Sequence, residues 1–83
     1  MIKSNVDNAA SRIREHIRQT PFEKSELISK MTGAEVWLKM ENQQFTGSFK
    51  FRGAINKMLS LNDAQRKSGI YAASTGNHGA AVA

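Results

Sequence analysis

The apolar residues change their spacing along this chain, and each change marks an element. Val6, Ala9, Ala10, Ile13 and Ile17 recur at helical intervals, while Arg12, Arg14, Glu15 and Arg18 occupy the other faces. This pattern predicts an amphipathic helix, opened by the capping-box pattern Ser4-Asn5-Val6-Asp7. It should close before Thr20-Pro21, because proline holds its predecessor extended. A shorter helix is predicted from Phe22 to Lys30, with Leu27, Ile28 and Met31 turned inward and Gly33 as its stop. From Glu35 to Met40 the period falls to two, Val36, Leu38 and Met40 alternating with Trp37 and Lys39, which is the pattern of a strand.

A polar loop, Glu41 to Phe45, leads into the turn Thr46-Gly47-Ser48. The helix beginning near Ser48 should run to about Leu61 and bury the stripe Phe51, Ile55, Met58 and Leu59. Gly53 weakens that helix, so it is expected to mark close approach by another group. Asn62 to Ser68 reads as one or two helical turns ended by Gly69, and Ile70 to Ser74 as a short buried strand. Thr75 to Gly79 is a turn, and Ala80 to Ala83 opens another helix. Helices alternating with strands indicate an α/β fold with a parallel sheet. Two strands do not complete such a sheet, so the expected reading is the N-terminal part of something longer.

Composition narrows the picture. A chain of 83 residues allows one small domain, and with no cysteine there is no disulfide framework or thiolate metal site. Two histidines give no basis for a zinc site, and the apolar runs are too short to span a bilayer, so a cytoplasmic protein with no membrane partner is expected. The net charge of +5 is spread through every segment with acids nearby and forms no basic block, which speaks against nucleic acid as a partner. An anionic small ligand suits the charge equally well.

Two stretches carry candidate chemistry. Lys50 falls where the first turn of a helix should be, and no acid occurs between Thr46 and Ser60 although Arg52 and Lys57 do. A helix N-terminus disfavours a cation, a placement that suits an amine used as a nucleophile. Taken alone, Lys50 is equally an ordinary exposed helix lysine. The second stretch, Ser74-Thr75-Gly76-Asn77-His78-Gly79, sits on a strand-to-helix turn, where open α/β sheets bind ligands. Its backbone N–H groups can grip a carboxylate or phosphate, and Asn77 adds a neutral donor.

Together the stretches are specific. Thr46-Gly47-Ser48-Phe49-Lys50-Phe51-Arg52-Gly53-Ala54, followed about twenty residues on by Ser74 to Gly79, resembles the pyridoxal-phosphate enzymes of fold type II. Thr20-Pro21-Phe22 with Ser25, and Val36 to Asn42, extend the resemblance from near Ile13 to Ala83. Within that group His78 and Arg52-Gly53-Ala54 look most like the threonine/serine dehydratase and serine racemase branch.

The resemblance implies that Lys50 holds pyridoxal 5'-phosphate as a Schiff base and later acts as base on the substrate Cα proton. Asn77 would donate to the cofactor's phenolic oxygen and Phe49 would pack near its ring. Thr75, Gly76, Asn77 and His78 would hold the substrate carboxylate, mainly by backbone N–H groups. A small 3-hydroxy amino acid would then lose ammonia to give a 2-oxo acid, and the complete enzyme would be a homo-oligomer. The alternatives are an inactive fragment, a racemase, for which the Thr75 hydroxyl could serve as proton donor, and, least favoured, a nucleic-acid-binding module. The six glycines occur singly, so the family's glycine-rich phosphate loop is expected outside these residues.

Overall fold

Ile13 is the one residue of the first amphipathic stripe that becomes fully buried, and the helix carrying it packs against the helix that starts at Lys50. The computed structural model describes residues 1–83. Helix α1 spans Ile2–Ile13 and passes through a 3-10 turn, Arg14–His16, into extended backbone at Ile17. It begins earlier than the sequence predicts. Ser4 lies inside the first turn, where its hydroxyl donates to the Met1 carbonyl at 2.9 Å, and Asp7 pairs with Lys3 at 2.7 Å. The expected capping box is therefore not formed.

The second predicted helix is corrected more sharply. Phe22–Lys24 is strand β1, and helix α2 begins only at Glu26 and ends at Thr32. Ser25 is the start signal: its backbone is extended and its Oγ accepts from the Ile28 N–H at 3.2 Å. Ser25→Ala should cost about 1 kcal/mol and lower the thermal midpoint, with unfolding followed by circular dichroism as the check. Leu27 and Met31, expected inward, are 70% and 75% exposed, because nothing in the chain packs over that face of α2.

Strand β2, Trp37–Lys39, falls within the predicted Glu35–Met40 segment. It runs antiparallel to β1 in the register Phe22↔Lys39, Glu23↔Leu38, Lys24↔Trp37. The Phe22 and Trp37 rings lie 5.5 Å apart across the diagonal of this ladder. The expected parallel sheet is thus replaced by a two-stranded antiparallel one. The strand expected at Ile70 to Ser74 does not form, so β2 pairs only with Phe22–Lys24.

Helix α3 (Lys50–Ser60) follows, then α4 (Asp63–Lys67), capped by Asn62 and Gln65, and α5 (Asn77–Val82). The α3 stripe is half-buried, and Ala54, beside it, is the one buried residue of the helix. Gly53 meets nothing within contact distance, so the close approach expected there is absent. Ile70 to Ser74 does not form the predicted buried strand. It is irregular and exposed, Tyr71 fully so, because no neighbouring strand offers it a ladder.

The resulting shape is open. The radius of gyration is 15.9 Å, where a compact chain of this length would have about 12 Å. Of the five buried residues, three are polar: Thr20, Gln44 and Ser48. The best-protected part of the molecule is therefore not an apolar core but the polar surroundings of the turn that leads into α3.

Candidate functional site

That turn is built from two successive left-handed residues, Thr46 at φ 63° and Gly47 at φ 79°. Glycine adopts this conformation freely, whereas a β-branched threonine does so only when its surroundings hold it there. The reversal delivers Ser48 in extended backbone, and its buried Oγ accepts from the Lys50 N–H at 3.3 Å. Phe49 is the N-cap of α3 and Lys50 its first residue, so the helix starts two residues after the expected Ser48, with Lys50 in its first turn as the sequence predicts.

The polar residues beneath the turn explain why it is held. Gln44 is 4% exposed, and its side chain bridges two segments. Its Oε1 accepts from the N–H groups of Arg18 at 2.9 Å and Phe45 at 3.1 Å, while its Nε2 donates to the Arg18 carbonyl at 3.0 Å. The Arg18 guanidinium lies 4.6 Å from the centre of the Phe45 ring, which meets Phe51 edge to face at 5.5 Å.

Glu41 is the centre of this cluster. It follows β2 in a 3-10 turn, Glu41–Gln43, and its carboxylate is paired with the Arg52 guanidinium at both oxygens. The Thr20 hydroxyl donates to it at 2.5 Å and the Gln44 amide at 3.4 Å. Lys39 Nζ donates to the Thr20 carbonyl at 2.6 Å, tying β2 into the same network. From the sequence alone Glu41 has only a supporting place in the loop, and Gln44 has none. The one signal present is the absence of any acid between Thr46 and Ser60 beside three basic residues, which a distant carboxylate has to answer.

The Arg52 hydrogen bond, aided by Thr20 and Gln44 and opposed by burial, holds the Glu41 carboxyl at about 2, against an ordinary value of 4.5. A carboxyl lowered on folding contributes stability that is fully present above its unfolded value and lost as the pH falls through its folded one. Stability should therefore decline between about pH 4.5 and pH 2. Glu41→Gln should flatten that decline by about 1–2 kcal/mol, allowing for partial solvent screening, as read from denaturant unfolding across that pH range.

The two sequence stretches meet in space. Helix α5 packs on α3 and on the Phe45–Gly47 turn. A cleft of about 470 Å³ is thereby lined by Met40, Glu41 and Asn42 on one side, by Gly47, Ser48 and Phe49 on another, and by Asn77. Lys50 is exposed, with its ammonium 5.2 Å from the centre of the Phe49 ring, beside a surface that lines this cleft.

The remaining predicted residues are placed differently. Thr75 and Gly76 form an exposed bend before α5, where the Gly76 N–H donates to Ser74 Oγ at 3.2 Å. His78 lines a separate hollow with Lys57, Tyr71 and Val82, so its side chain does not share the cleft. Gly79, to which the sequence assigns no separate role, holds the loop close. A Cβ there would sit 2.8 Å from the Ser74 carbonyl oxygen.

Comparison with known proteins gives this geometry a context. The profile of the pyridoxal-phosphate dependent enzyme family matches residues 13–83. The catabolic L-threonine dehydratase TdcB of Staphylococcus aureus is 51% identical over 80 residues, covering 95% of this chain and 23% of that protein. Serine racemase from Dictyostelium discoideum superposes with a TM-score of 0.87 at 39% identity, covering 95% of this chain and 26% of that one. Maize serine racemase superposes at 0.86 with 38% identity, covering 95% and 25% respectively. The chain thus spans about a quarter of the length of these relatives. No helix is long and apolar enough to cross a membrane.

Proposed function

Because the chain belongs to the pyridoxal-phosphate dependent enzymes, we propose that it forms the N-terminal segment of an amino-acid ammonia-lyase acting on threonine, serine or a related 3-hydroxy amino acid. The observation that carries this reading is the meeting of two stretches at one cleft, lined by Phe49 from one and Asn77 from the other, with the Lys50 ammonium beside the Phe49 ring at its edge. An aromatic face and a neutral amide in the lining, with the amine of Lys50 next to that aromatic face, fit the ring end of the cofactor.

In this reading Lys50 would hold the cofactor through its amine and, when not so engaged, would take the proton from the substrate Cα. The bound cofactor would supply an electron sink for the charge left on that carbon. The Asn77 amide would serve as the neutral donor to the cofactor, and Phe49 would pack near its ring. Backbone N–H groups of Thr75, Asn77 and His78 receive the substrate carboxylate at this exposed bend, and the Gly76 N–H joins them by leaving Ser74 Oγ. His78 contributes through its backbone, since its imidazole lies in the other hollow. Loss of the substrate's hydroxyl and hydrolysis of the product then release a 2-oxo acid and ammonia. The complete enzyme is read as a cytoplasmic homo-oligomer.

The similarity to serine racemase supports a second activity, in which the Thr75 hydroxyl returns a proton to the opposite face of Cα. One experiment separates the readings. The complete enzyme is supplied with L-threonine and, separately, L-serine, and 2-oxo acid, ammonia and the handedness of the remaining serine are measured. Equal amounts of 2-oxo acid and ammonia are expected. D-serine formed without ammonia would assign the racemase, and neither product from cofactor-loaded enzyme would reject both.

A further inference from the structure

Helix α3 presents Lys50 and Arg52 on opposite sides, since two residues correspond to about 200° of rotation. Lys50 faces outward beside Phe49, while Arg52 lies beneath the helix, against the groove lined by Ala10, Ile13 and Ile17 and against Glu41. The Arg52 side chain is 31% exposed and Glu41 13%, and both guanidinium bonds fall on one carboxylate. A two-point bond of this kind fixes direction as well as distance. With no acid within α3 itself, Glu41 supplies from outside the helix the negative charge that its basic first turns lack.

We propose that Glu41 is a positioning residue for Lys50: by gripping Arg52 in a two-point bond, it fixes the rotation of α3 about its axis and so the direction of the lysine amine at the edge of the cleft. This rests on the reading of Lys50 as the reacting amine. Three further features make the grip rigid. Thr20 and Gln44 occupy the remaining acceptor positions of the carboxylate, so it cannot swing away from Arg52. Gln44 is anchored to the backbone on both sides of Arg18, and Thr20 is anchored through its carbonyl to Lys39. No buried side-chain polar atom is left without a partner, so the network is fully satisfied as it stands. Losing the grip lets α3 turn, and displacements of an ångström at a reacting group can cost about a hundredfold in rate.

The test uses the complete enzyme and the variants Glu41→Gln, Arg52→Lys and the double variant. Steady-state kinetics are measured with saturating cofactor, together with the rate at which borohydride fixes the cofactor to Lys50. Each single variant should lower kcat roughly ten- to a hundredfold and slow the fixation by a similar factor, with KM within about threefold of the unsubstituted enzyme. The double variant should be no worse than the poorer single one, because both substitutions break one device. Arg52 does not line the cleft, so its variant reports on α3 rather than on direct contact with a ligand. Where Glu41→Gln does not fold, Arg52→Lys decides, since it keeps a cation opposite the carboxylate. An unchanged kcat and fixation rate in folded Arg52→Lys, or losses that multiply in the double variant, would overturn the proposal. Failure to fix any cofactor to Lys50 in the unsubstituted enzyme would instead overturn the reading of Lys50, and this proposal with it.

Discussion

Lys50→Ala in the complete enzyme is expected to abolish the visible absorbance of the covalently held cofactor and to reduce ammonia release from threonine or serine by about 10³-fold or more. The size follows from the two roles assigned to one nitrogen, holding the cofactor and moving the Cα proton. No neighbour stands ready to replace it. Lys39 lines the cleft but its amine is engaged with the Thr20 carbonyl, and Lys57 lies along the hollow beside His78. The fold should survive the substitution, because Lys50 is exposed and only its backbone N–H takes part in the turn, bonded to Ser48 Oγ. Full activity with an unchanged spectrum would show that the reacting amine lies elsewhere.

Gly79→Ala is expected to have a large effect on cofactor binding, although it adds only one methyl group. The new Cβ would meet the Ser74 carbonyl oxygen at 2.8 Å, and both partners are backbone, so neither can swing aside. Either the Ser74–Gly76 bend or α5 must shift, at a cost of about 1–3 kcal/mol. Since Asn77 heads α5 and lines the cleft, the shift should weaken cofactor binding roughly tenfold or more, one factor of ten corresponding to about 1.4 kcal/mol. Titration of the folded variant with pyridoxal phosphate checks this. Unaltered affinity would mean that α5 is not fixed by its contact with Ser74.

What the sequence discloses depends on how local the cause is. Helix α3 and the place of Lys50 in its first turn are legible because turn residues, apolar period and helix onset coincide within a few positions. The meeting of Phe49 and Asn77 is legible only through resemblance, since no periodicity reports contact between α5 and the Phe45–Gly47 turn. Phe22–Lys24 reads as helix by pattern, yet its extended state comes from pairing with Trp37–Lys39, which local propensity does not register. The apolar face of α2 and the Ile70 segment stay exposed because apolar sequence states only that a residue can be buried, not by what. Glu41, Gln44 and Thr20 are the least visible. Each is an ordinary polar residue in a loop, and their importance lies in hydrogen bonds across 21 to 26 residues of chain, Thr20 to Glu41 and Arg18 to Gln44.

The most direct measurement is borohydride reduction of the complete enzyme in the presence of pyridoxal phosphate, followed by proteolysis and mass spectrometry of the lysine-containing peptides. A single site of cofactor mass on Lys50, lost when the substrate amine is supplied first, is the predicted result. Cofactor mass spread over several lysines, or concentrated on Lys39 or Lys57 with Lys50 unlabelled, would contradict it.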